Sequence, residues 1–238
     1  MHGRPWMTHD AIDGARRRLL GGAMGMAISG GVLARQPNTE NTMAQDTHWQ
    51  DGSWLNRPRT VAISDGMLDV VTDKATDFWR KTHYGFTRDS GHFLGITTAA
   101  RFTAQLRVRA QYESLYDQAG IMVRVDEQHW VKAGIELSDG RAMLSSVLTN
   151  PVSDWATGPY EADPKDFWIR ATVADGVLRL QVSADGHTWP LVRLCPFPVA
   201  NAYQVGPMCC TPERAGLKVR FSDWMLGPPL GKDLHDLS

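Results

Sequence analysis

The chain is poor in the features that mark several large functional classes. Its three cysteines are Cys195, Cys209 and Cys210. An odd count with no C-x-x-C spacing fits neither a disulfide framework nor a zinc site, and reads as small, buried, reduced thiols. Charge of one sign is lacking as well: 25 Lys and Arg stand against 26 Asp and Glu, a formal net charge of -1. No global field therefore draws nucleic acid or an anionic membrane to the protein. The apolar run from Leu19 to Ala34 is too short and too rich in glycine to span a bilayer. The eight histidines show no H-E-x-x-H or H-x-H spacing, and no Asp/Asn-rich loop suits calcium. A P-loop, a G-x-S-x-G elbow and a G-x-G-x-x-G after a strand are all missing. No cofactor or metal is expected.

Regular helical periodicity and a βαβ alternation are also lacking, which disfavours a doubly wound nucleotide-binding fold. What is present is alternation at every second residue from Thr60 onward, punctuated by Asp-Gly pairs at positions 65, 139, 175 and 185. In the segment from Ala119 to Leu137, one set of residues (Ala119, Ile121, Val123 and Val125) faces a core. After a turn at Glu127 to His129, Val131, Ala133, Ile135 and Leu137 take that same face. A two-residue turn at Asp139-Gly140 then pairs Leu137 with Ala142 and Ile135 with Leu144. A second hairpin through Asp175-Gly176 sets Ile169 against Val182, Ala171 against Leu180 and Val173 against Leu178. The segment Ser183 to Trp189 resembles an Asp-box turn, in which an Asp carboxylate locks backbone amides and a Trp packs beneath. These elements predict an all-β, antiparallel β-sandwich of two sheets.

Residues 1–47 differ in character. Arg16-Arg17-Arg18 precedes the weakly apolar run that ends in Val32-Leu33-Ala34, the layout of a twin-arginine export signal. The alternative is a disordered extension, or a stretch that is not translated at all because Met43 itself starts a chain that enters the β domain almost at once. The first reading places the protein in the periplasm or outside the cell; the second leaves it cytoplasmic. The expected organisation is an extension over 1–47, a β-sandwich over 48–227 and a C-terminal tail over 228–238.

Several longer stretches carry a family resemblance: Thr72-Asp73; Asp77-Phe78-Trp79-Arg80-Lys81-Thr82-His83-Tyr84-Gly85-Phe86; Leu115 to Arg124; Trp130 to Glu136; Ser153-Asp154-Trp155; and Val205-Gly206-Pro207-Met208. Together, over about Trp49 to Leu226, they resemble the regulation-of-enolase protein family, a domain family of unknown function. The resemblance implies a concanavalin A-like fold, a jelly-roll form of the sandwich. It implies no agreed catalytic residues, and the family's name implies a regulatory effect on a glycolytic enzyme.

Opposite the core, the alternation places Met122, Arg124, Trp130, Lys132, Glu136, Met143 and Ser145 on one sheet face. Gly120 is expected across from Glu136, with Gly134 two residues before it, leaving bare backbone over the carboxylate for a ligand to approach. An aromatic ring beside charged groups suits a sugar or similar polyol, and an Arg/Lys/Glu ladder on a solvated face is the structural alternative. Tyr116-Asp117-Gln118 and Asp154-Trp155 flank this face in loops or strand ends. The candidate ligand-binding set is thus Arg124, Trp130, Lys132, Glu136, Tyr116, Asp117, Gln118, Asp154 and Trp155.

Three functions fit these residues. The first is a non-catalytic binding module for a carbohydrate or other small polar ligand. The second is a glycan-acting, glycoside hydrolase-like enzyme using Glu136, which needs a second carboxyl such as Asp117, Asp126 or Asp154 within reach. The third is a regulatory protein that docks a metabolic enzyme through an aromatic patch of Trp79, Phe86 and Trp155. Neither a nucleic-acid partner nor stable membrane insertion is expected.

Overall fold

The structure is a computed structural model, and it describes residues 48–238; the export-signal segment and linker of residues 1–47 lie outside the described residues. After a short 3-10 turn, Trp49–Asp51, the chain is built from strands. In chain order these are β1 (Ser53–Leu55), β2 (Thr60–Ser64), β3 (Met67–Val71), β4 (Phe78–Arg80), β5 (Thr87–Asp89), β6 (His92–Ala99), β7 (Phe102–Ala110) and β8 (Gln118–Arg124). There follow β9 (Trp130–Ser138), β10 (Arg141–Thr149), β11 (Ser153–Pro159), β12 (Asp166–Ala174), β13 (Val177–Ser183), β14 (Leu191–Pro196), β15 (Ala202–Cys210) and β16 (Lys218–Gly227).

They form two seven-stranded antiparallel sheets, one ordered β1-β6-β15-β8-β9-β10-β11 and the other β14-β13-β12-β7-β16-β3-β2, with β4 and β5 as a separate ribbon. The inner faces close on one core, where Ile121, Val123, Val131 and Ile135 of the first sheet meet Leu106, Val108, Ile169 and Val173 of the second. This is the antiparallel sandwich that period-two alternation demands when one face of each sheet is buried.

The hairpin registers follow from the turns. Asp139-Gly140 and Asp175-Gly176 have positive φ at both residues, as does Asp65-Gly66, the backbone that matches strand twist in a two-residue connection. Leu137 accordingly pairs with Ala142, Ile135 with Leu144 and Ile169 with Val182. The 183–189 turn is locked as its sequence implies: Asp185 Oδ1 accepts from the amides of His187 at 2.8 Å and Thr188 at 2.7 Å. Those bonds favour the ionised form and hold the Asp185 carboxyl far below the usual range.

One register differs from the sequence expectation. Gly120 pairs with Gly134, and it is Gln118 that stands across from Glu136. The loop of residues 125–129 between β8 and β9 has no Asp-Gly signal to set its length, and it closes with the Val125 amide on the His129 carbonyl at 2.9 Å. The two glycines serve close strand approach: a Cβ on Gly120 would overlap the Ala133 carbonyl oxygen, and one on Gly134 would overlap that of Ala119.

The cysteines are free thiols, with Cys209 in the main core and Cys210 on the opposite face of the same strand. His92 is buried and satisfied, its Nε2 accepting from the Asp73 amide at 3.0 Å and its Nδ1 lying 2.6 Å from the Asn56 carbonyl. His83 sits edge-on to Tyr84, with ring centroids 4.8 Å apart.

Candidate functional site

The outer face of the first sheet is not open. The segment of residues 73–91, carrying the β4-β5 ribbon, folds over it and builds a second apolar core from Phe78, Trp79, Phe93, Met122, Trp130, Val147, Met208 and Cys210. Several bonds hold this lid. Arg80 donates its amide to Ser153 Oγ at 2.9 Å and its Nε to the Pro151 carbonyl at 3.0 Å. Asn56 Nδ2 donates to the carbonyls of Asp89 and Gly91.

The lid consumes part of the face outright. Arg124 donates two parallel bonds of 2.9 Å to Asp89, and Trp130 is 1% exposed with its ring 6.0 Å from Phe78. Neither reaches solvent as a ligand platform, because the 73–91 segment occupies the space that alternation alone leaves open. Asp117 is also spent on structure. Fully buried, it accepts from Arg214 and from the amides of Glu113 and Ser114. Asp154 points outward to Arg193 at 2.6 Å.

Toward the other end of the same strands the lid stops short and leaves a cavity of about 200 Å³. Its lining includes Lys132, Glu136, Tyr116, Gln118 and Trp155 from the sequence-derived set. To these the lid adds Asp77, Trp79, Tyr84, Phe86 and Arg88, and the sheet and a following loop add Val147, Pro212 and Glu213. The walls are aromatic and mutually braced. Trp79 meets Tyr84 at 5.6 Å and Trp155 at 6.3 Å, both edge-on. Tyr116 meets Trp155 at 6.3 Å, and its hydroxyl lies 3.4 Å from that of Tyr84, closing the ring of rings. Tyr84 stacks on Phe86 at 5.3 Å. Tyr116 occupies its wall position at φ 63, a backbone region that costs a non-glycine residue free energy and concentrates at functional sites.

The floor is charged. Lys132 Nζ donates to Asp77 Oδ1 at 3.0 Å, and Ser145 Oγ donates to Glu136 Oε2 at 3.0 Å while accepting from Trp155 Nε1 at 3.1 Å. One hydroxyl thus ties the acid to the wall. Lys132 and Glu136 are both about 95% buried, at 4% and 5% exposure. Burial pushes the Glu136 carboxyl up, against the opposing pull of Lys132 and the Ser145 hydrogen bond. Burial alone lowers the Lys132 ammonium, but Asp77 and Glu136 outweigh it and hold it above the ordinary lysine value. The hydrogen bond with Tyr84, then burial, then neighbouring negative charge push the Tyr116 phenol up to about 12. Beside Glu136 and Ser145, over Gly134, lies a further void of about 10 Å³, the space of a single water.

The lid residues escape an argument from alternation because residues 77–88 follow neither strand nor helix period. Their signal is density of aromatics: Phe78, Trp79, Tyr84 and Phe86 fall within nine residues. Trp79, Phe86 and Trp155, read from the sequence as an aromatic docking patch, line the cavity. Among the described residues, no group of three or more His, Cys, Asp or Glu is placed to hold a metal ion, and no helix is long and apolar enough to cross a membrane.

The chain is 64% identical over 195 residues to Regulation of enolase protein 1 of Saccharomyces cerevisiae, covering 82% of this chain and 98% of that protein. A crystal structure of a functionally unknown protein from Saccharomyces cerevisiae superposes with a TM-score of 0.77 at 64% identity, over 78% of this chain and all of that one. The Bacteroides ovatus protein described as xyloglucan PUL GH43B matches with a TM-score of 0.59 at 18% identity, over 78% of this chain and 38% of its own; that likeness is one of fold. Residues 54–229 match the family described as protein of unknown function, DUF1349, and with the yeast relative this shows that the chain belongs to that family.

Proposed function

We propose that the protein is a binding module for a small polyhydroxylated ligand, a single sugar ring or comparable polyol, held in the cavity between the lid and the first sheet. The observation that carries this reading is the enclosure of a charged floor by Trp79, Tyr84, Tyr116 and Trp155. A sugar ring has an apolar face of C–H groups that stacks on aromatic rings and a rim of hydroxyls that bonds carboxylate, ammonium and amide groups. Glu136, Lys132, Asp77 and Gln118 supply those groups at one end of the cavity. At about 200 Å³, the space is smaller than the roughly 300–1,000 Å³ of pockets for drug-sized ligands, which favours one ring over an oligomer. The site is also preorganised by its ring-to-ring contacts and the Trp155–Ser145–Glu136 relay, which reduces the ordering cost of binding.

The test is a thermal-shift and calorimetric screen of the full chain against monosaccharides and polyols, repeated with Trp155→Ala. A ligand selective for the native state raises the melting temperature, by about 2.7 kcal/mol of added stability at a hundredfold excess over Kd. Loss of the shift in Trp155→Ala supports the pocket. An unchanged shift in that variant sinks it.

A second reading, a glycan-acting enzyme, has one specific observation in its favour: the upward-shifted Glu136 carboxyl shares its floor with a second carboxylate, Asp77. The partner comes from the lid and not from Asp117, Asp126 or Asp154. Turnover of aryl glycosides that disappears in Glu136→Gln supports this reading, and intact binding without turnover excludes it. The name of the yeast relative concerns regulation of enolase. If no small ligand shifts the protein, the exposed rims of Tyr84 and Phe86 become the surface to test against such a metabolic enzyme.

A further inference from the structure

We propose that the ligand of this cavity is cationic, and specifically an amino sugar whose ammonium group sits against Glu136 inside the aromatic walls. The inference rests on the sugar-ring reading above and adds a charge to it.

The charges that line the cavity do not balance. Asp77, Glu136 and Glu213 are acidic, while Lys132 and Arg88 are basic. The Lys132 ammonium is committed to Asp77 at 3.0 Å, and the Arg88 guanidinium lies over the Phe86 ring, 4.8 Å from its centroid. Glu136 takes a hydrogen bond from the neutral Ser145 hydroxyl, and among the described residues it has no salt bridge of its own. Lys132 pulls on Glu136 across the floor, but that ammonium is bonded to Asp77, and a carboxylate 95% buried without an ion pair of its own costs stability. The Lys132 ammonium is held above its ordinary value by Asp77 and Glu136 against its burial, and Glu136 adds to the rise of the Tyr116 phenol after the Tyr84 hydrogen bond and burial.

The walls select for the same charge. Aromatic rings carry negative faces, and a cation enclosed by several of them is stabilised more strongly when water is excluded. Trp79, Tyr84, Tyr116 and Trp155 enclose this site, and the indole N–H of Trp155, which is a donor, is turned away to Ser145. Carboxylate floor and π walls therefore both favour an ammonium, whereas a neutral hydroxyl in its place leaves Glu136 without an ion pair of its own. The remaining polar groups, Gln118 and the Lys132–Asp77 pair, are left for the hydroxyls of the ring.

The experiment is isothermal titration of the full chain at about pH 6, where an aliphatic ammonium is charged, with glucosamine, glucose, N-acetylglucosamine and choline. Glucosamine is expected to bind about tenfold tighter than glucose or N-acetylglucosamine, the scale of one cation–π and carboxylate contact. That preference is expected to vanish in Glu136→Gln and to persist in Glu136→Asp, with thermal unfolding of each variant reporting its folding separately. Equal binding of glucosamine and glucose overturns the cationic ligand and leaves the sugar pocket standing. Binding of choline with no sugar bound overturns both the amino-sugar assignment and the sugar reading. No binding of any of the four overturns this assignment, and the wider screen of neutral polyols then decides the pocket itself.

Discussion

The two ends of one sheet face have the same pattern in the sequence and opposite fates in the structure. At the Arg124–Trp130 end of β8 and β9, the outward-facing side chains are sealed under the lid, with an aromatic cluster and a bidentate ion pair. At the Gln118–Glu136 end, six residue pairs along the same two strands, the same alternation opens into an aromatic-walled cavity. The difference lies in what covers each end, not in the strands. A charged or aromatic residue opposite a core is equally a ligand contact or the underside of a second core, and only the covering segment decides between them.

The contrast can be broken most sharply at its sealed end. Trp130→Ala removes a ring packed against Phe78, and the loss is expected at about 3–5 kcal/mol, as for other large-to-small changes of buried aromatics. Urea unfolding measures it, and a cost below about 1 kcal/mol would mean the lid is not a second core. Next in size is the Arg124–Asp89 pair: Asp89→Asn weakens two charge-assisted bonds and is expected to cost about 1.5–3 kcal/mol by the same assay. A double-mutant cycle with Arg124→Ala separates their coupling from general loss of packing.

At the open end the order of effects reverses, with ligand binding lost ahead of stability. Trp155 is 38% exposed, so Trp155→Ala is expected to cost about 1 kcal/mol of stability while lowering ligand affinity by about tenfold or more. Calorimetry and unfolding on the same variant check both halves.

The smallest effect concerns pH. Burial raises the Glu136 carboxyl above its unfolded value. A raised carboxyl is protonated in both states below about pH 4 and adds no penalty there. As pH rises through the folded value, the native state must ionise a buried group that the unfolded chain ionises freely, so stability is lost. Glu136→Gln is therefore expected to melt above the wild type at pH 7, with the gain shrinking toward pH 4. A variant less stable than the wild type at pH 7 would mean that the ionised carboxylate is well compensated, against the unpaired floor inferred above.

Much of the fold was legible because it follows from period-two alternation and from turns with one geometry. Asp139-Gly140 and Asp175-Gly176 have positive φ at both positions, and the pairings of Leu137 with Ala142 and Ile169 with Val182 come with them. The β8-β9 register was not legible to the same degree, because its five-residue loop contains no residue that demands a particular backbone; Gly120 consequently pairs with Gly134 and not with Glu136. For the site, alternation places Lys132 and Glu136 on the outer sheet face, and position at loops or strand ends singles out Tyr116, Gln118 and Trp155; all five line the cavity. Alternation could not reveal that Asp89 captures Arg124 or that Asp117 serves Arg214, because those partners lie 35 and 97 residues away. Nor could it bring Asp77, Trp79 and Tyr84 to the cavity, since a lid that crosses a sheet face carries no period of its own.

The most direct test of the contrast is to follow the indole N–H resonances of the full chain by two-dimensional ¹H–¹⁵N NMR during a titration with glucosamine. The nine tryptophans are assigned by single substitutions. A pocket at the open end alone predicts saturable shifts of the Trp155 and Trp79 signals with Trp130 unmoved. Shifts at Trp130, or saturable binding that moves neither Trp155 nor Trp79, would contradict the account.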